Sequence, residues 1–150
     1  MTSFAEAMPA MLRHAGEWEG IYRHVDRDGT LLDEHRMRTL CEFPDEGPYA
    51  YIQSNWLSWA DGRAEERSFP GVFRDGLLHW DTDRFIGHGW ETLEGTVMLR
   101  LDRKDEPGTF FIEMINISPD GNSRARTWQW FTDGMPTRRT LCDEWRVGSR

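Results

Sequence analysis

Three residues able to move or hold a proton fall at alternating positions of two neighbouring segments: Tyr22 and His24 in one, His35 in the next. Histidine exchanges protons near neutral pH, and a phenol can hold a carbonyl or phenolate oxygen. In a strand, alternate side chains share a face. On that spacing Tyr22 and His24 lie with Trp18 and Gly20, opposite Glu17, Glu19 and Arg23. His35 lies with Met37, Thr39, Cys41 and Phe43, opposite Glu34, Arg36, Arg38 and Glu42. Together with Gln53, Asn55 and Glu113, and with Trp18, Met37 and Tyr51 as apolar neighbours, they could line an aromatic cavity with a few converging polar groups. Small-molecule sites have that composition. If the cavity does chemistry, His24, His35 and Tyr22 are the catalytic candidates. The plainer alternative is a set of polar side chains satisfied by core hydrogen bonds or wetted at a barrel mouth.

A second cluster spans His79 to Trp90 and includes Asp81, Asp83, Arg84, Gly87, His88 and Gly89. His79, Arg84 and His88 are candidate ligand contacts, since an Arg can clamp a carboxylate through two parallel bonds. Gly87 and Gly89 would let a ligand or another backbone approach. The plain alternative is a charged turn with two core Trp residues and glycines at a barrel corner. His79 and Asp81 share a strand face, but no His-x-His or Cys-x-x-Cys accompanies them, so no metal and no other cofactor is expected. No spacing selects an axial haem histidine. No Gly-x-Ser-x-Gly is present for a serine nucleophile. Cys41 reads as a packed thiol. On strand spacing it lies about 10 Å from Cys142, beyond disulfide reach. Trp128 and Trp130 share a face with Arg124 and Arg126. That face reads as an exterior Arg–Trp ladder or as a homodimer surface.

These residues must be positioned by strands. Turn formers recur about every 10–15 residues, among them Asp28-Gly29, Asp61-Gly62, Asp75-Gly76, Pro107-Gly108, Gly121-Asn122 and Asp133-Gly134. Strands are predicted over residues 17–26, 32–43, 49–59, 64–69, 77–81, 84–91, 95–103, 109–118, 123–132 and 136–147. Residues 1–16 form a short helical or turn segment, with Ser3 and Glu6 at capping-box spacing. The facing of 49–59 and 109–118 is left open by alternation alone. Short turns make consecutive strands antiparallel neighbours, and closure removes the two edges. The expectation is one all-β domain, a closed antiparallel barrel of eight to ten strands.

The 150 residues suit a single domain. A formal charge of −8 without a Lys/Arg run leaves no electrostatic footprint for nucleic acid or an anionic membrane surface. No apolar run reaches the roughly 18–20 residues of a membrane-spanning helix, and the N-terminal residues lack signal-peptide features, so a cytoplasmic protein is expected. Apolar residues are only 38% of the chain, but 8 Trp, 8 Phe and 3 Tyr concentrate the apolar surface in large rings.

The stretch Gly16-Glu17-Trp18, with Asp81 to Phe85 and the closing Cys142 to Arg146, resembles the calycin superfamily of lipocalins, fatty-acid-binding proteins and small uncharacterised bacterial relatives. The resemblance implies a barrel with a cavity, with Trp18 plugging one end and a last-strand cation over it. Arg146 is the candidate, Arg139 the reserve. Strict alternation places Arg146 with Arg138 and Thr140, opposite the more apolar Leu141, Trp145 and Val147, so a bulge is expected to bring it inward. The function expected is binding of a small hydrophobic, aromatic ligand inside the barrel. The alternative is a cofactor-independent acid–base enzyme, a lyase, isomerase or cyclase, acting on a small aromatic or polyketide-like compound in the same cavity.

Overall fold

The computed structural model describes residues 1–149. Two helical turns, α1 (Phe4–Ala7) and α2 (Pro9–Leu12), precede ten strands: β1 (Gly16–Asp26), β2 (Leu31–Glu42), β3 (Tyr51–Ser58), β4 (Ala64–Arg74), β5 (Leu77–Asp81), β6 (Phe85–Glu91), β7 (Val97–Arg103), β8 (Thr109–Ile117), β9 (Ser123–Thr132) and β10 (Met135–Arg146). Each strand pairs antiparallel with its sequence neighbours, and β1 pairs with β10 to close the barrel. Asp75-Gly76 and Asp133-Gly134 form two-residue hairpin loops in which both residues have positive φ. That geometry matches the twist of the flanking strands, and Asp-Gly tolerates it.

Alternation sorts the side chains as the sequence predicts in β1 and β2. Trp18 and Tyr22 are buried, as are His35, Met37, Thr39 and Cys41, while Glu34, Arg36 and Arg38 are exposed. The two open facings resolve. Tyr51, Asn55 and Leu57 of β3 and Phe111, Glu113 and Ile115 of β8 point inward. β4 runs five residues past its expected end, through Pro70. Its partner changes there: residues up to Gly71 pair with β3 and those from Gly71 pair with β5. A proline is tolerated in a strand where ladder bonding is relieved.

The N-terminal segment is two turns rather than one. Ser3 and Glu6 form the expected capping box on α1. Glu91 of β6 accepts from the backbone N–H groups of Ala10 and Met11 at 3.0 and 2.9 Å, pinning α2 to the barrel. Met8 and Met11 pack into the core with Trp18. Trp18 is fully buried and donates its indole N–H to the His14 carbonyl at 2.9 Å. Arg146 lies over its ring at 4.4 Å, as the resemblance implies, and Arg124 lies over it at 4.6 Å. No bulge at Arg146 is needed. β10 alternates regularly from Arg138 to Arg146, and the face carrying Thr140, Cys142, Glu144 and Arg146 is the inner one. The expectation failed because it assumed that the apolar face must point inward. Leu141 and Val147 are exposed.

The same assumption fails in β9. Arg124, Arg126 and Trp130 are buried, and Trp128 packs against the core. The four side chains share one face, but it is the interior face, so neither an exterior ladder nor a dimer surface is made of them. Their charges are balanced inside. Arg124 makes a two-bond pair with Glu144 at 2.9 and 3.2 Å, and Arg126 pairs with Glu113.

Candidate functional site

Two concavities stand out among the described residues. The larger, about 810 Å³, is an open groove on the outer wall bordered by Trp56, Trp145 and exposed charges. The other, about 420 Å³, lies inside the barrel at the end opposite Trp18. The antiparallel registers place the late part of β1, the early part of β2, the start of β6, the end of β7 and the early part of β10 at that end. Of the residues singled out from sequence, Tyr22, His24, His35, Met37, Gln53, Asn55, Arg84 and Glu113 line this cavity.

Four others lie elsewhere. Trp18 belongs to the plug at the opposite end. Tyr51 sits beneath the cavity wall, where its hydroxyl lies 2.9 Å from Gln53 Oε1 and 3.1 Å from Cys41 Sγ. His79 and His88 form a cross-strand pair on the outer face, with ring centroids 6.4 Å apart. Their strand neighbours Leu78 and Trp80 take the inward positions. The glycines beside His88 serve backbone packing. A Cβ at Gly87 would meet the Arg100 carbonyl oxygen at 1.9 Å.

The walls are aromatic. Trp128 stacks on Phe111 at 4.6 Å and 15°, Trp130 tilts against the same ring at 4.8 Å, and Trp59 lies 5.0 Å from His35. Tyr22, His35 and His24 form a stacked column with 5.3 Å between successive rings. A register shift after His24 in the β1–β2 pairing marks a bulge at the column's upper end, the kind of irregularity that re-aims a side chain.

Hydrogen bonds define the protonation of this column. His35 Nδ1 lies 3.3 Å from the Arg36 carbonyl oxygen, which only accepts, so Nδ1 carries the proton. Its Nε2 is then an acceptor for His24 Nε2–H at 3.2 Å. His24 Nδ1 in turn accepts from the Thr140 hydroxyl at 2.8 Å, and that hydroxyl accepts from the Trp130 indole N–H at 2.9 Å. The result is one directed chain from Trp130 through Thr140, His24 and His35 to the Arg36 carbonyl. Both imidazoles are neutral in it. Burial, then the neighbouring His35 and Arg138, depress the His24 pKa to about 4. Burial also lowers that of His35.

Below the column, Arg126 donates to Glu113 and, at 2.7 Å, to the Tyr22 hydroxyl. Burial raises the Tyr22 pKa well above that of an ordinary phenol, so it stays protonated. Burial also raises the Glu113 pKa, against the pull of Arg126. Among the described residues no three His, Cys, Asp or Glu side chains converge at metal-ligand spacing. Cys41 and Cys142 are buried free thiols. Among the described residues no helix is long and apolar enough to cross a membrane.

Reading from sequence missed the basic rim and the deep ion pairs: Arg67, Arg103, Arg126 and Arg138 line the cavity with Trp59 and Trp130. The signal for Arg126 was the period-2 pattern of β9, overridden by the habit of placing charge outside.

No protein-family profile and no curated protein matches the sequence. Solved structures do. The barrel is similar to the S-type phycobiliprotein lyase CPES from Guillardia theta, with a TM-score of 0.73 and 17% identity over 93% of this chain and 92% of that one. The fold is a calycin-like barrel. The same barrel is similar to a protein of unknown function of the DUF3598 family from Nostoc punctiforme, at a TM-score of 0.68 and 17% identity. That match covers 91% of this chain, which spans about half (49%) of the other. Rv2717c from M. tuberculosis shares the fold at a TM-score of 0.52 and 14% identity, over 97% of this chain and 99% of that one. At these identities the likeness is one of fold.

Proposed function

We propose that this calycin-like barrel binds a small hydrophobic, aromatic ligand in its interior cavity. The observation that carries the reading is the cavity itself, about 420 Å³, walled by Trp59, Phe111, Trp128 and Trp130 with a few polar groups among them. A volume in that range suits a compact small molecule, and flat rings are the natural partner of such walls. The likeness to a phycobiliprotein lyase supports a barrel that handles a ligand. The acid–base alternative has less support. A general base needs a free lone pair within hydrogen-bond reach of its substrate, and every ring nitrogen of His24 and His35 already has a partner in the chain.

The reading is tested with the neutral dye N-phenyl-1-naphthylamine, whose emission rises in an apolar site. Saturable enhancement is expected with the native chain. It should be lost in Leu101→Trp, where the larger ring fills the cavity beside the buried Leu101, and kept in Trp56→Ala, which alters only the outer groove. Loss in the groove variant with retention in the filled-cavity variant would move the site outside and defeat the reading.

A further inference from the structure

We infer that the cavity's ligand is an organic monoanion: an aromatic body among the rings, with a carboxylate held at the mouth by Arg138. The inference rests on the ligand-binding reading and adds the charge and placement of what is bound. The chain as a whole is acidic at −8. Its cavity wall is the reverse. Five arginines (67, 84, 103, 126 and 138) stand against two carboxylates, Asp33 and Glu113, so the lining side chains sum to +3.

Most of these arginines are already engaged. Arg126 is taken by Glu113 and Tyr22. Arg103 pairs with Asp105 at 2.7 Å and Glu106 at 3.1 Å, and Arg67 pairs with Glu65. Arg84 reaches Asp105 only at 3.8 Å, competing with Arg103 for it. Asp33 accepts from the Trp59 indole at 3.0 and 3.2 Å. Among the described residues Arg138 alone of the five forms no ion pair, with Glu106 acting on it only at longer range; its guanidinium carbon lies over the Trp130 ring, 4.3 Å from the centroid. Burial and then Arg103 lower its pKa, and burial followed by Arg67 and Arg103 lowers that of Arg84. The rim is a set of cations that repel one another in a part-buried space, and a bound anion relieves that repulsion. A guanidinium held against a ring has less freedom to lose on binding, and its paired N–H donors suit the two oxygens of a carboxylate. One unpaired guanidinium beside a stack of rings matches one carboxylate on an aromatic skeleton.

The test is calorimetric titration at pH 7 with two probes of the same shape and opposite charge state, 2-naphthoate and neutral 2-naphthamide. The native chain should bind the carboxylate about tenfold more tightly than the amide, a preference that shrinks as salt is raised. Arg138→Gln should abolish the preference while leaving the amide's affinity within about twofold, and Arg138→Lys should keep part of it. Equal affinity for the two probes in the native chain would overturn the anion inference and leave the ligand-binding reading standing. Binding of neither probe would overturn that reading and the inference with it. An undiminished preference in a folded Arg138→Gln, or amide binding lost along with the carboxylate's in both variants, would remove Arg138 as the anion's partner.

Discussion

Arg126 and Glu113 form an ion pair inside the barrel, Nε to Oε2 at 2.5 Å, with neither side chain more than 3% exposed. They stand on adjacent strands, β9 and β8, and the same guanidinium also reaches Tyr22 on β1. The pair therefore bridges the cavity floor. A buried ion pair adds little over an apolar pair of equal volume, but a widowed partner is costly. Arg126→Met should lower unfolding free energy by about 3–5 kcal/mol in urea titrations. Adding Glu113→Leu to that variant should recover a large part of the loss. A double variant as unstable as the sum of its singles would show that packing, not the unpaired charge, sets the cost.

Trp18 closes the other end between two guanidiniums. Trp18→Ala should cost about 3–5 kcal/mol, the usual loss for a truncated core aromatic. Trp18→Phe keeps a ring for Arg124 and Arg146 but gives up the bond to the His14 carbonyl, which predicts a loss nearer 1 kcal/mol plus the smaller ring's cavity. A loss under 1 kcal/mol for the alanine variant would sink the plug.

Gly87 tests whether the corner glycines serve packing. An added methyl would run into the Arg100 backbone of β7, and strand backbone cannot move aside as a flexible side chain can. Gly87→Ala should destabilise by about 1–3 kcal/mol or more, whereas Ala at Gly29, where nothing lies within 4 Å, should cost only the strain of its positive φ. Equal melting temperatures for the two variants would contradict this.

The neutral histidines give a pH signature. The folded-state pKa of His24 is depressed to about 4 from 6.5, and burial followed by Arg124 depresses that of buried His14 to about 3. The unfolded chain thus binds more protons than the folded one below about pH 6.5, and stability falls as pH drops from there toward 4. The raised pKa of Glu113 acts in the opposite sense. Thermal melts from pH 7 to pH 4 should show a falling transition, with a shallower fall in His24→Gln. NMR titration should place both imidazoles below pH 5; a His24 midpoint near 6.5 would break the directed chain.

Much of this was readable from spacing. Alternation in β1 and β2 placed Tyr22, His24 and His35 together, because those strands keep charge outward and rings inward and the pattern has only one sensible facing. It misled in β9 and β10, where the inner face carries Arg124, Arg126, Glu144 and Thr140 and the outer face carries Leu141 and Val147. Local pattern says which residues share a face; only the partners on the neighbouring strands β8 and β10 say that the four buried charges of Arg124, Arg126, Glu113 and Glu144 neutralise one another. His79 and His88 show the converse. Their composition looked like a site, but the inward positions of that hairpin belong to Leu78 and Trp80, so the imidazoles had to point out. The basic mouth was invisible for a related reason, since Arg67, Arg103 and Arg138 come from three strands and Arg84 from the β5–β6 turn, and the four meet only after closure.

The β1–β10 seam joins the two most distant strands of the chain through nine aligned residue pairs, Trp18 opposite Arg146 at one end and Asp26 opposite Arg138 at the other. During synthesis the first nine strands can line up in order, but β1 keeps a bare edge until residues 135–146 have left the ribosome. Until then Trp18 lacks Arg146, His24 lacks Thr140 and the mouth lacks Arg138. Plug, histidine chain and arginine rim are all completed by the same late strand, so a chain stalled before β10 lacks all three in finished form and presents an open sheet edge to any neighbouring strand.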